Sequence, residues 1–276
     1  MAQLELLNLS VHFGGVKAVQ NVSIRVEQGE FRGLIGPNGA GKTTVFNAIT
    51  GVVQPTAGDV YFEGQRLNGI RADKIAHMGI ARTFQNIRIY PKMTAAENVA
   101  IGLDSYPSYN ALSAMLRLPH VVKRDREIKR LSLEYLDKVG ILEYKDYEAG
   151  ALPYGLQRKL EIARALATKP KLLFLDEPAA GMNTNESIEL VSFLKDLHQN
   201  NDGLTIVLIE HHLEVVMEVC QNINVLNLGT MLASGTPDEI QKNPDVIKAY
   251  LGERRKRNGN YNCTGRFDRT LDRCLP

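Results

Sequence analysis

The fold of this 276-residue chain is decided by one short stretch, Gly36-Pro37-Asn38-Gly39-Ala40-Gly41-Lys42-Thr43. It matches the pattern G-x-x-x-x-G-K-[ST], follows the apolar run 31–35 and opens a segment, 43–50, with a helical pattern. Glycines let successive backbone N–H groups face phosphate oxygens, and the positive end of the helix adds to the attraction. The stretch therefore predicts a nucleotide-phosphate site. Its expected contact residues are Gly36, Pro37, Asn38, Gly39, Ala40, Gly41, Lys42, Thr43 and Thr44.

Two carboxylates end a second apolar run, Leu172-Leu173-Phe174-Leu175-Asp176-Glu177. Ligands of open α/β sheets bind at the carboxyl ends of strands, so both side chains are expected beside the phosphates. Asp176 is predicted to help hold Mg²⁺, through water, and Glu177 to polarise a water for in-line attack on the γ-phosphate. His211 follows the apolar run 204–210 and is placed to orient that water. His212 is expected to face solvent at the start of a helix.

The pattern of apolar residues predicts an α/β fold. The first 30 residues alternate polar and apolar side chains around Gly14-Gly15, which indicates two antiparallel strands. Residues 86–165 show helical patterns and no convincing strand, so they are interpreted as an inserted helical subdomain. From 171 onward apolar strands alternate with amphipathic helices, which is typical of a mainly parallel sheet.

Positive charge is concentrated in the residues after 252. Residues 253–276 hold seven Lys and Arg against three acidic residues, whereas the whole chain has a net charge of only +2. Residues 1–252 are thus nearly neutral, which argues against a nucleic-acid groove. The basic tail, 253–276, has three interpretations: solvated disorder, attraction to anionic lipid headgroups, or an artefact of cloning or sequencing.

Composition excludes several other classes of protein. Hydrophobic residues make up 44% of the chain and charged residues 23%, which is ordinary for a folded globular protein. Three cysteines without a CxxC pair argue against a disulfide framework and a zinc site, and favour a reducing cytosol. Neither a membrane-spanning run of ~18 apolar residues nor a secretory signal is expected. The absence of N-K-x-D argues against a small GTPase.

Taken in order, the motifs resemble those of the ATP-binding cassette (ABC) family over residues 3–252. Within that family the chain is most similar to the ATP-binding subunits of branched-chain amino-acid importers. The stretches that carry the resemblance are FGGVKAVQNVS (13–23), the glycine stretch, ARTFQN (81–86), LPYGLQRKLEIARAL (152–166), LDEPAAGMN (175–183) and IEHH (209–212). The resemblance implies a P-loop NTPase core of ABC type, with an N-terminal antiparallel β subdomain and an inserted helical subdomain.

The resemblance also implies roles for individual residues. Phe13 lies where the family places an aromatic ring against adenine. Gln85 matches the glutamine that touches Mg²⁺ or the attacking water, so the implied metal set is Thr43, Gln85 and Asp176. Gly155 belongs to the family signature, which contacts in trans the γ-phosphate held by a second subunit. A helix expected to begin near Gln157 would direct its positive end at that phosphate. Asn183 falls in a loop that crosses the dimer interface.

The signature departs from its common form, LSGGQ. Pro153 replaces the serine that donates a hydrogen bond to the γ-phosphate, and Leu156 replaces the glutamine. A lost charge-assisted hydrogen bond costs ~1.5–3 kcal/mol. Each ATP site of the dimer would combine the glycine stretch of one subunit with the signature of the other, and one of these two sites is therefore expected to be weakened.

The implied function is that of an ATPase using ATP and Mg²⁺, the motor of an importer of branched-chain amino acids or related solutes. The expected partners are a second ABC subunit, identical or related, two membrane permease subunits and, indirectly, a solute-binding protein, without nucleic acid. The expected location is the cytoplasmic face of the cell membrane, as a peripheral protein. The alternative is a weakly hydrolysing regulatory cassette of a heterodimeric transporter. Translation factors with two cassettes per chain and repair proteins with a long coiled coil do not fit.

Overall fold

The computed structural model describes residues 2–103, 115, 118–201 and 203–257, with side chains as far as residue 250. The first 27 residues form a hairpin of strands β1 (Ala2–Phe13) and β2 (Val16–Glu27). With β4 (Ala57–Phe62) and β5 (Gln65–Arg66) it makes an antiparallel sheet in the order β2-β1-β4-β5. Alternate residues of β1 are buried because one face of this sheet packs on the core. The predicted N-terminal hairpin is confirmed.

The second sheet is mixed and mainly parallel, as predicted. Its order is β10-β9-β3-β8-β7-β6; β9 and β10 pair antiparallel, and the other neighbouring strands pair parallel. Every residue of β7 and β8 is buried, which explains why these strands read as continuous apolar runs. The strands are β3 (Phe31–Ile35), β6 (Ile80–Arg82), β7 (Leu172–Asp176), β8 (Thr205–Ile209), β9 (Asn222–Asn227) and β10 (Thr230–Gly235).

Helices cover the mixed sheet and fill the described part of the segment between β6 and β7. Two short 3₁₀ turns, Leu142–Tyr144 and Ala149–Ala151, lie in that segment as well. Among the described residues, no helix is both long enough and apolar enough to cross a membrane. The α-helices are α1 (Lys42–Ile49), α2 (Ala72–His77), α3 (Ala95–Leu103), α4 (Pro119–Lys138), α5 (Tyr154–Ala167), α6 (Thr184–Gln199), α7 (Leu213–Val219), α8 (Pro237–Lys242) and α9 (Pro244–Arg257).

Two helix boundaries differ from the sequence expectation. Helix α5 begins at Tyr154, three residues before Gln157, where the sequence placed its start. Pro153 adopts an extended backbone (φ −53°, ψ 151°) at the N-cap, and the helix starts at the next residue. Helix α9 runs to Arg257, five residues into the stretch expected to be a tail. Residues 258–276 lie outside the described residues.

The hydrophobic core has two parts, one on each face of the mixed sheet. Strand β3 contributes to both, because Phe31 and Ile35 point to the helical side and Leu34 to the antiparallel sheet. Helix α1 packs on the second side through Val45, Phe46 and Ile49. The glycine stretch, which joins β3 to α1, is thereby fixed at the carboxyl end of the sheet.

Candidate active site

The glycine stretch closes tightly against neighbouring backbone, which requires glycine at two positions. Gly36 has φ 151°, and a Cβ there would lie 2.1 Å from the Leu226 carbonyl oxygen. Gly41 has φ 98°, and a Cβ there would lie 2.5 Å from the Ala18 carbonyl oxygen. Gly41 is the N-cap of α1 and provides no side-chain cap for the first N–H groups of the helix. Such N–H groups, at the positive end of a helix, form a binding site for phosphate.

The Lys42 side chain lies inside this loop. Its Nζ donates to the carbonyl oxygens of Gly36, at 2.6 Å, and Pro37, at 3.0 Å. The residue is only 6% exposed, although Thr43 beside it is exposed. The loop therefore holds an ammonium group next to the N–H groups of α1, as the sequence motif predicts for a triphosphate site.

Asp176, the last residue of β7, forms a buried ion pair that the sequence did not predict. Its Oδ2 accepts from Arg82 Nη2 at 2.6 Å, and the two side chains are 6% and 9% exposed. Arg82 Nη1 also donates to Asn47 Oδ1 on α1, at 2.7 Å. Arg82 thus connects the helix of the glycine stretch with the carboxylate strand. The sequence signal that could have identified Arg82 is its position in ARTFQN, three residues before Gln85.

The residues predicted to act on the attacking water, Gln85, Glu177 and His211, lie close together. Glu177 Oε2 accepts from Gln85 Nε2 at 2.8 Å and lies 3.6 Å from His211 Nδ1. The Glu177 backbone has φ 47°, a left-handed conformation that is uncommon outside glycine, and its N–H donates to the Ile209 carbonyl. Its side chain is 16% exposed, so the carboxylate remains accessible to water.

Glu210 is the buried carboxylate that supports this cluster, and sequence reasoning missed it. The residue is fully buried. Its Oε1 accepts from the Ala179 N–H at 2.7 Å, and its Oε2 accepts from those of His211, at 3.0 Å, and His212, at 3.3 Å. Glu210 therefore fixes the loops after β7 and β8 relative to each other. His212 is exposed at the N-cap of α7, which confirms its expected position.

Replacement of Glu210 by glutamine is expected to lower both stability and turnover. The amide offers one acceptor oxygen and turns an NH₂ group toward backbone donors, so at least one buried N–H loses its partner at a cost of ~1–3 kcal/mol. Thermal unfolding should show a fall in Tm of ~2–10 °C. The control is Glu214→Gln, an exposed change in the first turn of α7. A Glu210→Gln protein as stable as the control would contradict this role.

The remaining predicted residues lie on the hairpin, on α5 and on α6. Phe13, at the end of β1, is 50% exposed and so is available to stack on a base. Gly155 lies in the first turn of α5, where an added Cβ would meet nothing within 4 Å. Asn183 is the N-cap of α6: its Oδ1 accepts from the Glu186 N–H, and its own N–H donates to Glu186 Oε2. Its expected place at a dimer interface stays a prediction.

The residues named for Mg²⁺ have the donor chemistry that this ion requires. Thr43 offers a hydroxyl, Asp176 a carboxylate and Gln85 an amide oxygen, and Mg²⁺ prefers such oxygen ligands. Thr43 and Gln85 are exposed, while Asp176 is fixed at the end of β7. These three residues fit a magnesium site.

Family models match two parts of the chain. Residues 19–180, more than half of the chain, match the model described as ABC transporter. The chain belongs to the ABC transporter family. Residues 230–256, at the end of this cassette, match the model described as branched-chain amino acid ATP-binding cassette transporter.

Individual members resemble the cassette over most of its length. It is 44% identical to BraF of Pseudomonas aeruginosa, a high-affinity branched-chain amino acid transport ATP-binding protein, over 91% of this chain and 98% of BraF. The structure of the ADP conformation of MJ1267, an ATP-binding cassette of an ABC transporter, superposes with a TM-score of 0.78 at 31% identity, over 91% and 99% of the two chains. A dimeric post-hydrolysis structure of the cassette MJ0796 bound to ADP and phosphate gives 0.70 at 26% identity, over 85% and 98%.

Proposed function

We propose that this cassette is the ATP-hydrolysing subunit of an importer of leucine, isoleucine, valine or related solutes, which pass through separate membrane permease subunits. The observation that carries the proposal is the 44% identity with BraF over 98% of that protein. The clustering of Gln85, Glu177 and His211 supplies the matching chemistry. We further propose a domain of residues 1–252, a helical subdomain over about 86–165, and a basic tail.

In the proposed reaction, the glycine stretch and Lys42 bind the triphosphate and Phe13 stacks on adenine. Glu177 accepts a proton from a water whose oxygen attacks the γ-phosphorus, and the bond from that phosphorus to the bridging oxygen breaks to release ADP. The amide N–H of Gln85 holds the Glu177 carboxylate where it can accept the proton of the water, and His211 orients the water. Bound Mg²⁺, held by Thr43, Asp176 and Gln85, would neutralise charge on the phosphates.

We propose that ATP is bound between two cassettes, with Gly155 and the first turn of α5 from one facing the γ-phosphate bound by the other. Pro153 and Tyr154 at the start of α5 are exposed, and the space beside Gly155 is open, which supports this arrangement. The second cassette is identical or related, and both lie on the cytoplasmic face of the membrane against the permeases. A solute-binding protein acts on the far side and contacts the cassettes only indirectly.

A regulatory cassette that barely hydrolyses ATP is the second candidate, and Pro153 favours it. Pro153 is the N-cap of α5, where the common signature has a serine, and no side-chain cap is present. Proline has no hydroxyl to donate to a phosphate. In a pair of identical cassettes both ATP sites would lack that hydroxyl and hydrolysis would be slow. In a heterodimer only the site on the second cassette's glycine stretch would lack it.

Pro153→Ser is expected to increase ATP turnover up to ~10-fold and not to decrease it. Serine restores a hydroxyl donor at the mouth of the trans site, and it can also cap α5, which adds ~1 kcal/mol of stability. Steady-state hydrolysis should be measured with the second cassette present. The control is Pro153→Ala, which removes the ring without adding a hydroxyl. A sharp fall in turnover for Pro153→Ser alone would contradict the proposed geometry.

The proposed transport function can be tested in proteoliposomes. They should contain this cassette, its second cassette and both permeases, with the solute-binding protein on the opposite side. We expect ATP-dependent uptake of labelled leucine, and no uptake of labelled lysine as the solute control. Glu177→Gln in this cassette alone should stop leucine uptake. Uptake that continues unchanged would favour the regulatory role, and hydrolysis without any solute uptake would contradict the importer.

A further inference from the structure

The loop that carries Gln85 is hydrogen-bonded to a buried ion pair whose two residues both belong to α5. Arg158 Nη1 and Glu161 Oε2 lie 2.8 Å apart, and the two side chains are 0% and 2% exposed. Arg158 donates to the carbonyl oxygens of Phe84, at 2.7 Å, and Gln85, at 2.9 Å. Glu161 Oε1 accepts from the N–H groups of Phe84, at 3.4 Å, and Arg88, at 3.2 Å.

This arrangement differs from an ordinary ion pair along a helix. A pair at i,i+3 on a surface contributes a few tenths of a kcal/mol, and a buried pair is weak evidence for stability because desolvation costs much of the attraction. Here both partners also bind backbone groups of residues 84–88, more than 70 positions away in the sequence. Two carbonyls and a carboxylate match the planar fork of a guanidinium, which a lysine ammonium cannot reproduce.

The same helix begins with the signature. Arg158 Nη2 donates to the Tyr154 hydroxyl at 3.3 Å, and Tyr154 is the first residue of α5, next to Gly155. One arginine therefore contacts both the signature turn and the Gln85 loop. A displacement of the start of α5 would be carried to Gln85 through these hydrogen bonds.

We propose that Arg158 and Glu161 are positioning residues for Gln85: they hold the loop backbone so that the Gln85 amide meets the Glu177 carboxylate. Through these two residues, the contact between Gln85 and Glu177 depends on the position of α5, whose first turn faces the second cassette. The inference rests on the proposed function, in which Gln85 and Glu177 act on the attacking water. The proposed hold of Arg158 and Glu161 on the backbone of residues 84–88 can be tested without nucleotide.

The test is a double-mutant cycle on kcat with the full-length cassette and its second cassette. Arg158→Lys should lower kcat ~10–100-fold and change the dissociation constant of ATP less than ~3-fold, since the glycine stretch is untouched. In a Gln85→Ala background the same substitution should lower kcat less than ~3-fold, because Arg158 acts through Gln85. Equal effects in the two backgrounds would overturn the proposal.

The matched control is Arg32→Lys. Arg32 forms a partly buried ion pair with Glu30 at 2.7 Å, with side chains 13% and 6% exposed. It lies at the start of β3 and away from the carboxyl end of that strand. Arg32→Lys should lower the free energy of unfolding. It should change kcat by the same factor in the wild-type and the Gln85→Ala backgrounds. If Arg158→Lys does not fold, Glu161→Gln replaces it in the cycle, with the same smaller effect expected when Gln85 is absent.

Hydrogen exchange without nucleotide separates this proposal from the proposed function. Arg158→Lys should raise exchange in peptides covering residues 84–88 at least ~10-fold, and Arg32→Lys should not. Unchanged exchange at 84–88 would overturn the positioning role even if the cassette hydrolyses ATP. Failure of the wild-type cassette to hydrolyse ATP would contradict the proposed function, whereas faster exchange at 84–88 would still support the tie between α5 and the loop.

Discussion

Lys42→Ala is expected to reduce ATP hydrolysis by ~10²–10³-fold or more. Lys42 is the one side-chain ammonium placed inside the glycine stretch among the described residues, 2.6 Å from the Gly36 carbonyl oxygen. In the nucleotide complex it would contact the β- and γ-phosphates, where charge develops as the reaction proceeds. Removing one such electrostatic contact costs ~2.7–4 kcal/mol. Steady-state hydrolysis and equilibrium ATP binding of the purified cassette measure the loss.

The control for Lys42 is Lys195→Ala. Lys195 forms an exposed ion pair with Glu218 at 2.8 Å, and it lies in the last turns of α6. Exposed pairs of this kind contribute ~0–1 kcal/mol, so both stability and turnover should stay close to those of the wild type. Full hydrolysis by Lys42→Ala, at a rate equal to that of the control, would rule out the glycine stretch as the triphosphate site.

Glu177→Gln is expected to bind ATP with wild-type affinity while hydrolysis falls ~10²–10⁴-fold. The glutamine side chain retains an oxygen for the 2.8 Å contact with Gln85 Nε2, so the fold of the site is preserved. It cannot accept the proton of the attacking water, and general-base catalysis contributes about that factor. Uncleaved ATP should then hold two cassettes together, and gel filtration with MgATP should detect the dimer.

The matched control for Glu177→Gln is Glu63→Gln, the same change at an exposed carboxylate. Glu63 is exposed and forms an ion pair with Lys171 that lies on the antiparallel sheet side of the molecule. This variant should hydrolyse ATP normally and show no trapped dimer. A Glu177→Gln cassette that turns over ATP as fast as Glu63→Gln would remove Glu177 from the role of base.

The elements of the fold that carry long, regular patterns were predictable from sequence. The alternation in β1 and β2, the continuous apolar runs of β7 and β8, the helical patterns between β6 and β7 and the strand-helix alternation after residue 171 all match elements of the described residues. The strands β4, β5 and β6 were not identified, because they are two to six residues long and carry no sustained period. Their pairing depends on contacts with distant strands, which no local window contains.

Within the candidate site, local motifs were predictable and contacts between motifs were not. The glycine stretch, Asp176, Glu177 and His211 follow from residue type and from position at the ends of strands. The partners of these residues do not: Gln85 and Glu177 are 92 positions apart, and Arg82 and Asp176 are 94 apart. Glu210 was missed because a carboxylate that binds three backbone N–H groups has no sequence signature beyond its place before two histidines.

A crystal structure of Glu177→Gln bound to Mg²⁺ and ATP, together with the second cassette, would show directly whether ATP is bound between two cassettes. We expect a triphosphate on residues 36–44, adenine against Phe13, and the γ-phosphate covered by the first turn of α5 of the opposite subunit, with Gly155 at that contact. This expectation would be contradicted by a glycine stretch without nucleotide. It would equally be contradicted by ATP held within a single cassette while Gly155 faces solvent.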